Sequence, residues 1–434
     1  MNRYLFLMIF LLAQNSVFSQ SILSSWIMNA GEYASYWQNT NGSPTNPTFV
    51  FYTSTSLANV TQVCYNSSYV WTKSEGMTTN MGQFLNPGAP SAQGYTYRFP
   101  RNPTVPTTKT ISPKVGSSGL LTNGVPVYGL SNARYYNGSG NNGMGVGTWN
   151  AEVYLAEGFV LDATLGAHPQ QQGAYHSHAK PYRLYSTTSS SVHSPIIGWA
   201  FDGYPIYGPY GYSTPLNASS AITRMKTGYS LRNITTRTSL PYGVSLTSAN
   251  YGPAVSTTYP LGTYIEDYEW LAANGGDLDK YNGRYCVTPE FPGGTYAYFV
   301  TINASGTPQF PYYIGIKYYG APETDDITMG ATITVPTGTS CFTSALNTNE
   351  SEPLKTENVY TYPNPSNGIF NLKLPEITGK SEIEVYSVTG QKIFSKSVTG
   401  NETQIDISDK GKNGIFILKV LNNGKQYTAK LMLK

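Results

Sequence analysis

Short stretches of alternating apolar and polar residues, separated by loops rich in Gly, Ser, Thr and Asn, run through most of the 434-residue chain. Such alternation places apolar side chains on one face of a strand and is typical of β-structure. A helical pattern is predicted only near residues 265–273. The pattern therefore predicts a mainly β fold with a loop-rich antiparallel β body, whose clearest strands lie at 49–52, 60–63, 69–72, 95–99, 125–128, 196–201, 295–301 and 311–319.

One segment of the body occurs twice. Residues Gly198–Gly208 align with Gly119–Gly129 at five identities in eleven positions, and Asp202 stands where the earlier copy has Asn123. Each copy contains an Asn/Asp-Gly turn between two predicted strands, a pattern typical of a tight hairpin. We therefore expect an internal repeat made by structural duplication.

The C-terminal region differs from the body in charge. From Leu354 to Lys434, 18 of 81 residues are charged, against 33 of the preceding 353. Residues 342–357 include a polar run without periodicity and are the predicted linker, so that the last domain spans 358–434. Alternation predicts that this domain is a small C-terminal β-sandwich with strands at 369–374, 381–386, 391–394 and 414–420.

Four motifs follow one another in this domain: PNPSNG (363–368), VYSVTGQKI (385–393), GIFILKV (414–420) and KLMLK (430–434). Their order resembles the type A C-terminal sorting domain of the Bacteroidetes type IX secretion system. The resemblance implies an export address that the type IX secretion machinery recognises and that is removed on export, often with attachment to surface lipopolysaccharide. We expect a protein that is secreted or held on the outer cell surface.

The N-terminus has the pattern of an export signal. Arg3 precedes the apolar run Leu5–Leu12, and small or neutral residues lead to Ser19, so residues 1–19 are the predicted signal peptide. No segment reaches the roughly 18 consecutive apolar residues that a membrane helix needs. We therefore expect no transmembrane segment and a body that spans residues 20–341.

Charge and cysteine content narrow the possible partners and the compartment. Lys, Arg, Asp and Glu make up only 12% of the chain, and the net charge is +3. Without a basic run in the body, nucleic acid is a poor partner. The three cysteines, Cys64, Cys286 and Cys341, allow one disulfide in an oxidising compartment. The sequence leaves the pairing open.

All four histidines of the chain fall within 26 residues, at His168, His176, His178 and His193. On a strand, side chains alternate between faces, so His176 and His178 point the same way. His168, arriving from the preceding turn, would complete a set of three imidazoles that suits copper, zinc or iron. We expect a transition-metal site with His193 as a further candidate ligand; the competing interpretation is a polar cluster that only joins loops.

Two carboxylates near the histidines in sequence are candidate partners of the metal site. Asp162 precedes His168 by six residues, and Asp202 follows His193 by nine. Metal-binding imidazoles usually donate their other nitrogen to a carboxylate or a carbonyl, which sets the tautomer. We expect Asp202 or Asp162 to ligate the metal or to orient a ligand; the alternative for Asp202 is a turn-forming role like that of Asn123.

The body resembles the YHYH-domain family of secreted proteins. The resemblance rests on five motifs in conserved order, and it implies no established activity. In the motif that names the family, this chain has Ser177 where the second Tyr would stand, so any ligand role of that tyrosine is lost here. The motifs are TYRFPRNPT (96–104), TNGVPVYG (122–129), LGAHPQQQGAYHSHA (165–179), IIGWAFDGYPIYGPYG (196–211) and GDLDKYNGRYCVTPEFPGGTYAYFVT (276–301).

The last of these segments contains further polar groups. Asp277, Asp279 and Asn282 offer oxygen ligands in one turn, which makes a calcium ion a possible second cofactor, although Asp-rich turns also form for conformational reasons. Arg284 and Glu290 flank Cys286. Because an unpaired buried charge is costly, we expect these two to pair with each other or with Glu266 and Asp267.

Two classes of function remain for the body. No nucleophile elbow, zinc-protease helix or phosphate-binding loop is present in the sequence. The first hypothesis is a metal-binding domain centred on the histidines. The alternative is a surface adhesion or glycan-binding module whose many exposed Tyr and Trp side chains stack on sugars, without catalysis.

Overall fold

The computed structural model describes residues 21–86, 88–186, 190–327, 329–345, 359–374, 379–387, 391–410, 414–422 and 425–433. The predicted signal peptide and most of the predicted linker lie outside these residues. The chain divides into two compact units, Met1–Leu346 and Asn347–Lys434.

The first unit is built from short strands. Residues 21–24 are helical, and a second short helix, α1, spans Val153–Glu157. The strands are β1 (Tyr33–Asn39), β2 (Phe49–Leu57), β3 (Val60–Tyr65), β4 (Tyr69–Ser74), β5 (Tyr95–Pro100), β6 (Ser117–Leu121), β7 (Pro126–Tyr128), β8 (Ser131–Tyr135), β9 (Gly143–Met144), β10 (Asn150–Glu152), β11 (Ala167–Pro169), β12 (Tyr175–Ser177), β13 (Ile196–Ala200), β14 (Pro205–Tyr207), β15 (Tyr210–Tyr212), β16 (Ile222–Arg224), β17 (Tyr229–Leu231), β18 (Ser239–Leu240), β19 (Val244–Ser245), β20 (Tyr268–Trp270), β21 (Gly283–Cys286), β22 (Thr295–Phe299) and β23 (Ser340–Phe342).

The second unit is a two-sheet sandwich around one apolar core, as predicted. One sheet has the order β24-β25-β28 and the other β27-β26-β29-β30. Side chains from both sheets, such as Phe370 and Leu418, are fully buried between them. The strands are β24 (Tyr360–Tyr362), β25 (Ile369–Lys373), β26 (Lys380–Ser387), β27 (Lys392–Thr399), β28 (Glu402–Asp406), β29 (Gly414–Asn422) and β30 (Lys425–Leu433).

An eight-stranded sheet with the order β11-β12-β7-β6-β13-β14-β22-β21 forms the centre of the first unit. The two copies of the repeat are its four central strands, two antiparallel hairpins joined along β6 and β13. Leu120 pairs with its repeat equivalent Trp199. This register places an approximate twofold axis between the two residues, and this axis relates the two copies of the duplicated sequence.

The symmetry continues to both ends of the sheet. β12 runs parallel to β7, with Ser177 beside Val127, and β22 runs parallel to β14, with Tyr298 beside Ile206. Val127 and Ile206 are equivalent positions of the repeat. Because the outer strands β12 and β22 pair with equivalent positions of the repeat, hairpin β11–β12 on one side corresponds to hairpin β21–β22 on the other.

Both faces of this sheet are covered, which is why its strands are buried apart from Tyr285 in the edge strand β21. Leu121 and Val127 belong to one core, and Leu120 and Trp199 belong to the other, which the sheet β23-β3-β4-β5 covers. The edge strand β23 is joined to β3 by a disulfide between Cys341 and Cys64. Cys286 is buried and free.

Three local expectations are wrong. Residues 265–273 form a 3-10 turn followed by β20, because the Asp267 carboxylate accepts hydrogen bonds from Gly262 and from Tyr264 and binds Arg237. Residues 311–319 are a turn segment with one bridge to Ile111 instead of a strand. The helix α1 was not expected from the sequence pattern.

Among the described residues, the expected ion pairs of Arg284 and Glu290 do not form, and both side chains have other hydrogen-bond partners. Arg284 donates to the carbonyl of Tyr212, and Glu290 accepts from the Tyr207 hydroxyl at 2.8 Å. Glu266 instead pairs with Lys114 at 2.7 Å, and Asp267 pairs with Arg237 at 2.8 Å.

Candidate metal centre

Hairpin β11–β12 brings three of the four histidines together. His168 pairs directly with His176 across the hairpin, and His178 follows just after β12 on the same face. The three side chains are buried, and one ligand atom from each lies within 4.8 Å of the other two. His168 therefore arrives from the neighbouring strand and not from the turn that the sequence suggested.

The hydrogen bonds of two rings determine their tautomers. Nδ1 of His176 lies 2.9 Å from the carbonyl of Ala174, and Nδ1 of His178 lies 3.2 Å from the carbonyl of Gly129. A carbonyl can only accept, so each Nδ1 carries a proton. In a neutral imidazole the other nitrogen, Nε2, then carries a lone pair.

The two Nε2 atoms of His176 and His178 are only 2.9 Å apart. With both Nδ1 atoms protonated, two lone pairs face each other at hydrogen-bond distance, an arrangement that is unfavourable without a cation between them. Nε2 of His168 is buried and has no hydrogen-bond partner among the described residues. The Nε2 atoms of His176 and His178 are thus available as ligands, and no hydrogen bond competes for that of His168 among the described residues.

Burial disfavours the protonated, charged form of these imidazoles. Desolvation, followed by repulsion from His178 and His168, holds the pKa of His176 well below its ordinary value. Desolvation and repulsion from His168 lower the pKa of His178 to about 4, although Glu157 acts in the opposite direction. Neutral imidazole is the form that binds a metal ion.

The carboxylate at the centre is Glu157, which the sequence analysis did not identify. Its Oε2 lies 3.4 Å from Nε2 of His168 and 4.0 Å from Nε2 of His178. Burial raises the pKa of Glu157, but its interactions with His168 and His178 outweigh burial and leave it below its usual value. Glu157 is the last residue of α1, whose first turn is capped by Glu152.

One sequence signal could have identified Glu157. The body has only 17 acidic side chains among its first 353 residues, and Glu157 lies eleven positions before His168. Because acidic residues are so sparse in the body, one this near the histidines is as strong a candidate partner as Asp162.

The two predicted carboxylates have other partners. Asp162 accepts hydrogen bonds from the backbone of Thr164 and Leu165 and from the hydroxyl of Tyr175, and it closes the loop before β11. Asp202 accepts from the backbone of Tyr204 and of Gly320 and from the hydroxyl of Tyr298. Neither carboxylate lines the cleft above the histidines.

Asp202 lies on the turn of the second repeat hairpin. One carboxylate oxygen accepts from the Tyr298 hydroxyl at 2.6 Å and from the Gly320 backbone at 2.8 Å. The other accepts from Tyr204 two residues on, as Asn123 does from Val125 in the first copy. Burial, opposed by these hydrogen bonds, raises the pKa of Asp202 to about 6. These contacts correspond to the turn-forming alternative.

His193 is not part of the cluster. Its Nδ1 lies 2.8 Å from the carbonyl of Ser194, and its ring packs against Tyr207, Tyr212 and Phe299. This environment lies in the other half of the sheet. The sequence placed His193 with the others because it is close along the chain.

The approximate twofold axis shows that the other half has no equivalent cluster. By strand register, the positions of His168, His176 and His178 correspond to Arg284, Ala297 and Phe299. The duplicated sheet is therefore chemically asymmetric, with three imidazoles at one end only.

Position 177 faces away from the histidines. The Ser177 hydroxyl lies 2.6 Å from the Tyr313 hydroxyl, on the opposite face of β12. A tyrosine at this position would point into the core and not toward the metal centre. The substitution of the second Tyr of the naming motif therefore does not remove a ligand.

Tyr128 and Gly129 hold the cluster in place. The ring of Tyr128 stacks on that of His176 at a centroid distance of 3.9 Å, and its hydroxyl donates to the Met329 carbonyl. A Cβ on Gly129 would lie 2.1 Å from the carbonyl oxygen of Pro113, so only glycine fits where the backbone presents its carbonyl to His178.

The histidines and Glu157 lie at one side of a cleft of about 830 Å³. Polar side chains of its wall include Asn132, Arg134 and Gln170. The cleft gives molecules from solution access to the centre.

The predicted calcium ligands serve the turn itself. Asp277 accepts from the backbone of Lys226, and Asp279 accepts from Tyr281 and from the Tyr296 hydroxyl. The Asn282 amide donates to the carbonyls of Phe299 and Tyr313, while its oxygen is buried without a partner among the described residues. A calcium ion at this turn remains a prediction.

Most of the tryptophans pack in the core. Trp26, Trp71, Trp149 and Trp199 are at most 4% exposed, and Trp37 and Trp270 are partly buried. The expectation of many exposed tryptophans is therefore wrong, and aromatic content alone does not support glycan binding.

Two family models match the chain. The model described as YHYH protein covers residues 96–311, and the model described as Secretion system C-terminal sorting domain covers residues 360–434. No match was found among curated proteins. Among the described residues, no helix has the length and apolar character needed to cross a membrane. The chain thus carries the body of a YHYH-family protein followed by a type IX secretion sorting domain, and it is exported to the cell surface or the extracellular space.

Proposed function

We propose that the body binds one transition-metal ion through His168, His176 and His178, with Glu157 as the fourth protein ligand. The observation that carries the proposal is the 2.9 Å separation of the Nε2 atoms of His176 and His178, both directed by Nδ1–H bonds to carbonyls. A cation between these nitrogens converts a repulsive contact into two ligand bonds.

Three imidazoles and one carboxylate suit copper, zinc or iron, and imidazole is a poor ligand for calcium or magnesium. Such an ion at the wall of an open cleft supplies Lewis-acid or redox chemistry to a molecule that binds there. The carbonyls of Ala174 and Gly129 fix the two tautomers, as partners of metal-binding histidines usually do.

The experiment is a metal titration of the purified full-length protein. We expect one equivalent of copper, zinc or iron after reconstitution and dialysis, measured by elemental analysis. His176→Ala should lose at least nine tenths of it, whereas the matched variant His193→Ala should keep it. If the wild-type protein retains no more metal than the triple variant H168A/H176A/H178A, the cluster only joins loops.

A further inference from the structure

A second pocket lies on the other side of α1 from the metal cleft. It has a volume of about 560 Å³, within the range typical of small-molecule sites. Tyr154 and Leu155 of α1 face this pocket, whereas Ala156 and Glu157 face the metal cleft. No metal-centre residue lines it, so an inference drawn from it is independent of the proposed function.

Aromatic rings make up much of the pocket wall. Tyr268 stacks on Phe310 at a centroid distance of 4.2 Å and an interplanar angle of 9°, and Tyr229 meets the same phenylalanine edge-on. Tyr154 and Tyr312 form a second pair at 5.7 Å. Tyr154 and Tyr268 are partly exposed and present ring surface to the pocket, whereas Tyr229, Phe310 and Tyr312 are buried and support them.

The pocket has no free charge among its lining residues. Its only ionisable carboxylate, Glu152, is 1% exposed and accepts hydrogen bonds from the backbone of Tyr154 and Leu155 and from the Tyr312 hydroxyl. Arg and Lys are absent from the wall among the residues that the structure describes. A charged ligand would lose its hydration without gaining a counter-charge, so the wall favours a neutral ligand.

Neutral polar groups complete the lining. Thr227, Ser230 and Gln309 contribute hydroxyl and amide groups, and Leu155 and Leu231 are exposed, at 58% and 46%, beside them. The hydroxyl oxygens of Thr227 and Ser230 accept from the Tyr229 backbone and from the Asn274 amide, which leaves their O–H groups to donate to a ligand, and a purely apolar ligand would not accept from them. The combination of ring faces and uncharged hydrogen-bonding groups matches a sugar, whose C–H faces are apolar and whose hydroxyls are neutral.

We infer that this pocket binds a neutral saccharide, as a site separate from the metal centre. Because α1 carries both a pocket residue and Glu157 within four positions, a saccharide chain seated here would continue along α1 toward the metal cleft. The pocket would then determine which polymer the protein meets at the cell surface.

Affinity gel electrophoresis of the full-length protein tests this inference. The gels contain a soluble glucan, mannan or xylan, and a further gel contains anionic polygalacturonate. We expect retardation by at least one neutral polymer and at least tenfold weaker binding in Tyr154→Ala and Gln309→Ala. Tyr33→Ala, which removes a tyrosine that is 53% exposed outside the pocket, is the matched control and should bind normally.

The thermal midpoint shows whether each variant is folded, and its metal content shows whether the metal centre is intact. Tyr154→Ala should keep the metal content of wild type, and the three-histidine variant should keep saccharide binding. Absence of retardation by every neutral polymer overturns the inference. Undiminished binding by both folded pocket variants also overturns it, as does binding to polygalacturonate alone.

Discussion

At the scale of single residues, the hydrogen bond that Nδ1 of a histidine makes decides whether its Nε2 can bind a metal ion. The carbonyls of Ala174 and Gly129 hold the protons of His176 and His178 on Nδ1 and aim both Nε2 atoms at one point. Glu157 then supplies the negative charge that three neutral imidazoles lack. These contacts lead to two predictions about individual carboxylates.

Replacement of Glu157 by Gln should weaken metal affinity by about 10- to 100-fold and leave the thermal midpoint nearly unchanged, because the side chain is partly exposed and the amide is nearly isosteric. Competition titration against a metal chelator measures the affinity. Glu32→Gln, at an exposed acidic residue of the same unit, is the control. Equal affinity in both variants would remove Glu157 from the ligand set.

Replacement of Asp202 by Asn should leave metal affinity unchanged and destabilise the fold by about 1–3 kcal/mol, because one amide N–H₂ must face a donor where the carboxylate accepted. The pKa of Asp202 in the folded protein, about 6, lies above its ordinary value of 3.8. The protonated carboxyl therefore favours the folded state, and this contribution to stability is complete at a pH below 3.8 and is lost as the pH rises through about 6. The variant lacks this dependence, so we expect the stability gap between it and wild type to narrow as pH rises from about 4 to about 7.

Denaturant unfolding at several pH values, together with the chelator titration, tests both halves of the Asp202 prediction. A loss of metal affinity without a loss of stability would return Asp202 to the metal site.

At the scale of elements, register determines where the chemistry lies. The hairpin β11–β12 sets His168 opposite His176, and the equivalent hairpin β21–β22 sets Arg284 opposite Ala297. The same fold therefore carries a cluster of imidazoles at one end of the sheet and an aromatic environment around His193 at the other. The edge strand β23 is held to β3 both by strand pairing and by the disulfide between Cys64 and Cys341.

Removal of that link in Cys64→Ser/Cys341→Ser should lower the free energy of unfolding by about 2–4 kcal/mol, because the disulfide closes a long loop. Amide exchange should accelerate in β23 and not in β11 or β12. A reductant should destabilise wild type and leave the double variant unaffected. Identical unfolding of the two proteins without reductant would show that strand pairing alone holds β23.

At the scale of the whole molecule, the body and the sorting domain have separate apolar cores and different charge content. The sorting domain directs export through the type IX secretion machinery. Its removal on export and attachment to lipopolysaccharide follow from the resemblance and remain proposals.

Deletion of residues 354–434 should leave a folded body in the periplasm, because the address is lost while the body keeps its own cores. Cell fractionation and immunoblotting locate the protein, and elemental analysis of the periplasmic fraction should show the metal content of the full chain. Substitution of His193 by Ala in the full chain is the export control. Normal surface levels of the truncated protein would contradict the prediction.

The sequence by itself determined the properties that depend on near neighbours. Alternation located many of the longer strands, the Asn/Asp-Gly turns of the repeat predicted two hairpins, and ordered motifs identified both families. The spacing of His176 and His178 placed them on one face, because period two follows from strand geometry. These features need only the local backbone.

The tertiary structure decided which distant groups meet. Proximity along the chain favoured Asp162, Asp202 and His193, yet tertiary packing directs all three to other partners and brings in Glu157 from a helix. The pairing of Cys64 with Cys341, 277 positions apart, was equally open from sequence. Contacts of this kind depend on how sheets and loops pack, and no local period in the sequence encodes that arrangement.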